Sequence, residues 1–320
     1  SITNNHNLAQ LKAINNATTG TITLNAYDVA LTDGTVADAT QALAAGTLAD
    51  TYTGTVTITD TTDDAADLVA LNALTDGTID ATSITSLTGS AANMNTVLTA
   101  AGISNLGNEN VTFSDTALTT TVFNNLRSNT SGTIDATNLV TLTGSASTMK
   151  TALEAASVSN MGGVNATLNS NHNLAQLKAI NNATTGTITL NAYNVALTDG
   201  SVSDATQALA SGTLADTYTG TVTITDTGTV AVANVNALDA LTDGAIDITT
   251  IGTLSGEAAA IKTALESAGI TGDAGVNASI TNNHNLAQLK AINNATTGTI
   301  TLSAYDVALT DGTVADATAA

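Results

Sequence analysis

The chain of 320 residues carries 27 acidic side chains against 6 basic ones, a net charge of −21, with 10% charged and 2% aromatic residues. That balance excludes nucleic-acid binding, which needs lysine and arginine on phosphates; Arg127 is the only arginine. There is no cysteine for disulfides or thiolate chemistry and no apolar run of the roughly 18 residues a membrane span needs, while the absence of proline points to backbone ladders that keep every N–H.

In chain order, the first element is NHNLAQLKAINNATTGTITL at 5–24, which recurs letter for letter at 171–190 and 283–302. Asn7 with Gln10 fits a capping box. Leu8, Leu11 and Ile14 fall on one helical face, and Asn15, Asn16 and Gly20 lead out into a strand at TITL, 21–24. In AYDVAL, 26–31, the apolar parity flips, which predicts a bulge or corner. LTDG follows at 31–34, 74–77, 197–200, 241–244 and 309–312, and predicts a turn with glycine at positive φ. GTVTITD at 54–60 sets Val56 and Ile58 against an outer row of threonines, and ENVTFSD at 109–115, GVNATLN at 163–169 and GTVTITD at 220–226 repeat that form. Within 90–102, Met94, Val97, Leu98 and Ala101 have helical spacing. Met149, Ala152, Leu153 and Ala156 keep that frame, as do Ile261, Ala264, Leu265 and Ala268, and Gly102 and Gly269 are expected C-caps.

A glycine, a small residue and an isoleucine recur at Gly20, Gly77, Gly132, Gly186, Gly244 and Gly298, in steps of 54–58. The units are 20–76, 77–131, 132–185, 186–243 and 244–297, with partial units 1–19 and 298–320. Residues 279–318 repeat 1–40 with one change, Asn25 to Ser303. A unit of about 55 residues without disulfides is marginal alone. The expected fold is therefore α/β: an elongated repeat solenoid with parallel strands stacked coil on coil, short alanine-rich helices and about two coils per repeat.

The aspartates are the first candidate ligands. Asp33, Asp38, Asp60, Asp63, Asp64, Asp76 and Asp80 lie in or near turns, and aligned carboxylates suit Ca2+. Neither the EF-hand loop nor the calcium-binding nonapeptide is present, and helix capping explains the same residues. His6, His172 and His284 have no histidine or cysteine near them in sequence, which favours a structural or solvated role. Asn16-Ala17-Thr18 and its two copies match the N-glycosylation pattern. No P-loop, nucleophile elbow, zinc-protease or dinucleotide motif occurs, so no enzymatic activity is expected.

LTGSAANMNTVLTAAGISNLGNENVTFSD at 87–115, LTGSASTMKTALEAASVSNMGG at 142–163 and LTDGTIDATSITSLTG at 74–89 resemble the β-strand repeat units of giant secreted proteins from marine cyanobacteria. The resemblance is one of repeat style and brings no catalytic motif. It implies an exported structural or adhesive polymer. The expectation is a structural segment of an extracellular filament, sheath or cell-surface layer that associates with itself, head to tail or laterally. The alternative is an adhesin stalk or a surface module binding calcium or glycans.

Overall fold

The computed structural model describes residues 1–44, 46–210, 212–309 and 312–320. Threonine and glycine organise its backbone. The recurring Gly-x-Ile is always part of Thr-x-Gly-x-Ile. Besides the copy at 18–22, whose Thr18 is exposed, it stands at 75–79, 130–134, 184–188, 242–246 and 296–300. In these later copies each threonine is at most 8% exposed. Its Oγ1 donates at 2.6–2.8 Å to the carbonyl of Tyr52, Glu109, Val164, Tyr218 or Val276, which lies 20–24 residues earlier. The same oxygen accepts the glycine N–H at 2.9–3.0 Å. Glycine is needed because the earlier backbone runs against it: a Cβ on Gly77 would lie 2.0 Å from the Gly54 carbonyl oxygen, and one on Gly244 2.0 Å from that of Gly220.

The isoleucine then enters a parallel ladder. Val56 pairs with Ile79 and Ile79 with Ile103; Leu87 pairs with Val111 and Val111 with Ile134. Described partners lie 22–26 residues apart, from Ala166 with Ile188 to Ile188 with Leu214. The chain forms two compact units. The first is Ser1–Leu142 with Ala155–Met161. It holds a four-stranded sheet in the order Leu31–Gly34, Val56–Ile58, Ile79–Asp80, Ile103–Ser104, and a five-stranded sheet of Thr62–Asp64, Ser86–Gly89, Asn110–Phe113, Ile134–Asp135 and Val158–Ser159. The second is Thr143–Glu154 with Gly162–Ala320. One of its sheets runs Leu197–Gly200, Val222–Ile224, Ile246–Asp247, Ile270–Thr271, and another Gly228–Ala231, Ile251–Gly256, Asn277–Ile280, Ile300–Leu302. The α/β class with parallel strands is as expected.

LTDG has two structures. At 31–34 and 197–200 it is a strand with a register shift, and the left-handed residues are Asp33 (φ 64°) and Asp199 (φ 67°). The bulge thus lies between Leu31 and Gly34, just after the segment 26–31 where the parity flip places it. Gly34 and Gly200 stay small because the Leu8 and Leu174 side chains occupy the Cβ position, at 1.7 and 1.8 Å. At 74–77 and 241–244 the same letters form the Thr-x-Gly corner. The copy at 309–312 includes Thr310 and Asp311, which lie outside the described residues.

Helices begin 26–30 residues apart, from Leu8–Ala17 to Val314–Ala319. On average their spacing is longer than the ladder step, and one sheet stops at Ile103–Ser104 while another in the same unit continues to Val158–Ser159. The buried positions are i, i+3, i+6: Ala65, Leu68, Leu71; Ala91, Met94, Val97; Val232, Val235, Leu238. The expected stripe holds at Met149, Ala152, Leu153 and at Ile261, Ala264, Leu265, all buried, whereas Leu98 is half-buried and Ala101, Ala156 and Ala268 lie beyond their helices. Steps of three drift only about 60° each, so a short helix keeps three such residues on one narrow face. Gly102 and Gly269 are not left-handed caps; a Cβ there would meet the Asn72 or Asp239 side chain at 2.3 or 2.4 Å.

Helix ends are capped from neighbouring ladder steps as well as locally. The first N–H of helix Val36–Ala42 goes to Asp60, that of Ala91–Thr99 to Asp115 and that of Val202–Ala208 to Asp226, each at 2.7 Å. Each cap stands 24 residues ahead. Orphan N–H groups, left over by any helix start, are thus satisfied by the next segment.

Candidate functional site

The thrice-repeated segment builds one recurring surface feature. Its helix, Leu174–Ala183 in the second copy, starts with the expected capping box between Asn173 and Gln176. Lys178 pairs with Asp204 on the following helix, and Asn181 Nδ2 donates at 2.6 Å to the Gln207 carbonyl near that helix's C-terminus. Lys12 with Asp38, and Asn15 with Gln41 at 2.8 Å, repeat the arrangement, as do Lys290 with Asp316 and Asn293 with Ala319 at 3.1 Å. The lysine holds Asp38 below the usual carboxylate range and Asp204 down to about 2, with Thr35 and Ser201 hydrogen bonds assisting. The Lys12–Asp38 and Lys178–Asp204 pairs are about one-third exposed, so each contributes only about 0–1 kcal/mol.

Over each such helix runs an open groove, floored by alanines such as Ala175 and Ala179 and flanked by the lysine–aspartate pair. Its volume is about 390 Å³ at Lys12, 540 Å³ at Lys178 and 510 Å³ at Lys290. All six cationic side chains, Lys12, Arg127, Lys150, Lys178, Lys262 and Lys290, lie on helices, and described strands carry none. Each groove carries lysine, but carboxylates outnumber it there: Lys12 faces Asp33 and Asp38, and Lys290 faces Glu266 and Asp316.

The histidines are buried, at 6% for His6, 5% for His172 and 7% for His284. His6 Nε2 meets the Tyr52 hydroxyl at 3.3 Å, and His172 Nε2 meets that of Tyr218 at 3.1 Å. The partner was missed because it is a tyrosine 46 residues away. The signal was present: two His–Tyr pairs share that spacing. The glycosylation pattern also has a structural use, since Thr184 and Thr296 are the buried threonines that donate to Val164 and Val276. Glu109 is fully buried where other units place Tyr52, Val164, Tyr218 or Val276, and its carboxylate accepts from Gly107 N at 2.7 Å and Asn108 N at 3.1 Å.

The candidate aspartates are dispersed. Asp33 is exposed, takes the left-handed bulge position and accepts from Thr32 at 3.1 Å. Asp38 closes a capping box with Thr35. Asp60 caps the helix at Val36, and Asp64 is the N-cap of helix Ala65–Asn72. Asp76 is exposed. Asp80 accepts from Thr82 and Asn105, which together lower its pKa. Asp63 differs: burial, with Asp60, Asp67 and Asp64 nearby, pushes it up to about 6. It pairs in register with Leu87, at the end of an apolar column. Among the described residues, no three of His, Cys, Asp and Glu converge to hold a metal ion, and no helix is long and apolar enough to cross a membrane.

Asp63 yields a prediction. The equivalent residue in the later unit, counted from LTDG, is Val230. A raised folded-state pKa means the carboxylate costs stability above pH 6 and costs less as pH falls toward 3.8. Asp63→Val is expected to stabilise the protein by about 1–2 kcal/mol at pH 8, the full shift being discounted for partial exposure. Urea titrations at pH 8 and pH 5 should show that gain shrinking in acid.

No family model, curated protein or solved structure matches the chain.

Proposed function

We propose that the chain is a segment of a solenoid with a mechanical role: a self-associating structural part of an extracellular filament, sheath or cell-surface layer. The observation that supports this best is translational. Described ladders are parallel and join residues 22–26 apart, from Ala166 with Ile188 to Ile188 with Leu214. Caps come from the same distance, as from Asp60 to Val36. A segment that buries at most four residues per helix depends on its neighbours for a core. Such a pattern extends by addition of like segments. Open strand edges would join copies head to tail, and the grooved helix face offers a lateral contact. The acidic, cysteine-free composition suits a soluble exported polymer.

Electron microscopy with sedimentation velocity, run across a concentration series at neutral pH, tests the reading. Rods that associate as concentration rises are expected. Compact monomers at every concentration would overturn it.

A further inference from the structure

His6 and His172 each belong to a hydrogen-bond chain that crosses three successive ladder steps. The Tyr218 hydroxyl donates to the Val195 carbonyl, 23 residues earlier. Its oxygen is then left to accept Nε2–H of His172, 46 residues earlier. Tyr52 does the same with Val29 and His6. The tyrosine hydroxyl has one proton, already committed to a carbonyl, so the imidazole must carry its proton on Nε2. Nδ1 of both rings is buried without a hydrogen-bond partner. Tyr52 and Tyr218 are themselves fully buried, and the rings meet edge to face at 5.9 and 5.8 Å. A second proton would therefore place both a charge and an unsatisfied donor inside the fold, which is costly.

We propose that His6–Tyr52–Val29 and His172–Tyr218–Val195 are acid-released latches, in which neutral imidazole ties three consecutive ladder steps together and protonation lets them separate. Burial lowers the pKa of both histidines below 6.5. Lowered folded values mean that the latch contributes fully above pH 6.5 and is lost as pH falls toward the folded-state pKa. The charged surroundings differ. Asp28 acts on the first latch, where it also raises Tyr52; its counterpart in the second is Asn194. Lys12 and Lys178, on the helices that follow, are neutralised by Asp38 and Asp204. The second latch, without a carboxylate to favour imidazolium, is the more acid-sensitive. Asp63 titrates in the same window with the opposite sign, so the latch is read as a difference between proteins that share it.

The experiment is urea unfolding of the wild type and His172→Gln from pH 7.5 to 5, followed by circular dichroism. The glutamine amide can still donate to Tyr218 but does not titrate. The ratio of the wild-type folding constant to that of the variant is expected to fall by up to tenfold per pH unit below 6.5. A ratio that stays constant over this range would overturn the proposal. Should the variant not fold, nitrogen NMR of the wild type decides. His172 is expected to stay in the neutral Nε2–H form well below pH 6.5. Titration at or above 6.5, or an Nδ1–H tautomer, refutes the latch.

Discussion

Replacing Gly77 with alanine is expected to destabilise the first compact unit by about 3 kcal/mol or more, at or beyond the upper end of overpacking effects. The added methyl would sit 2.0 Å from the Gly54 carbonyl oxygen and 2.9 Å from the Thr53 carbonyl carbon, both backbone atoms that cannot rotate away. Relief requires separating two ladder steps, which strains the bond from Thr75 Oγ1 to the Tyr52 carbonyl and the pairing of Val56 with Ile79. The control is built into the chain. A Cβ on Gly163 meets nothing within 4 Å. Gly163→Ala should therefore stay within about 0.5 kcal/mol of the wild type, as an ordinary surface change does. Urea midpoints for the two variants decide the matter; equal midpoints would mean that close approach is not why glycine stands at 77.

Phe123→Ala is expected to cost about 3–5 kcal/mol. Phe123 is fully buried and meets Phe113 edge to face, with ring centroids 6.1 Å apart and planes at 84°. It is the middle residue of the stripe Thr120, Phe123, Leu126 on helix Thr120–Asn129. Other helices place Leu68, Met94 or Val235 at that position. Phe123→Met keeps more of the volume and should lose under about 2 kcal/mol, near the range for volume-conserving swaps. Denaturant titration of the pair measures the cavity contribution directly. Similar losses in both variants would show that the aromatic contact, and not the filled volume, is what matters.

Local features were legible from sequence because their partners lie three or four residues apart. Asn7 and Gln10 are a capping box by spacing alone, and the structure has both of its hydrogen bonds. Val56 and Ile58 are buried under exposed Thr55 and Thr59, as strict alternation requires. The turn expected at LTDG failed at 31–34 and 197–200 for a tertiary reason: Leu8 fills the space beside Gly34, and the left-handed conformation moves to Asp33. At 74–77 and 241–244 a turn forms, but Gly77 and Gly244 are not at the expected positive φ. Ile14 is a subtler case. It is 37% exposed, while Ile180 and Ile292 in the verbatim copies are fully buried. Those two lie on helices packed against Ala146–Leu153 and Ala258–Glu266, so their burial comes from the neighbouring helix and not from the letters alone.

The sequence by itself determined the α/β class, the repeat of about 55 residues, most strand segments (TITL at 21–24 keeps only isolated bridges) and the capping box at Asn7, since each rests on periodicity or short-range hydrogen bonding. Tertiary structure decided which residues face one another. Asp60 caps the helix at Val36, Asn15 holds the Gln41 carbonyl, Thr75 secures Tyr52, and Tyr52 reaches His6. Those partners are separated by 24, 26, 23 and 46 residues, about one or two steps of the parallel ladder. That step is on average shorter than the 26–30 residues between helix starts, and letter spacing alone contains both periods without saying which one sets contact. Parallel pairing sets it, because close backbone hydrogen bonding leaves the chain one register at which glycine, threonine and isoleucine can all be satisfied.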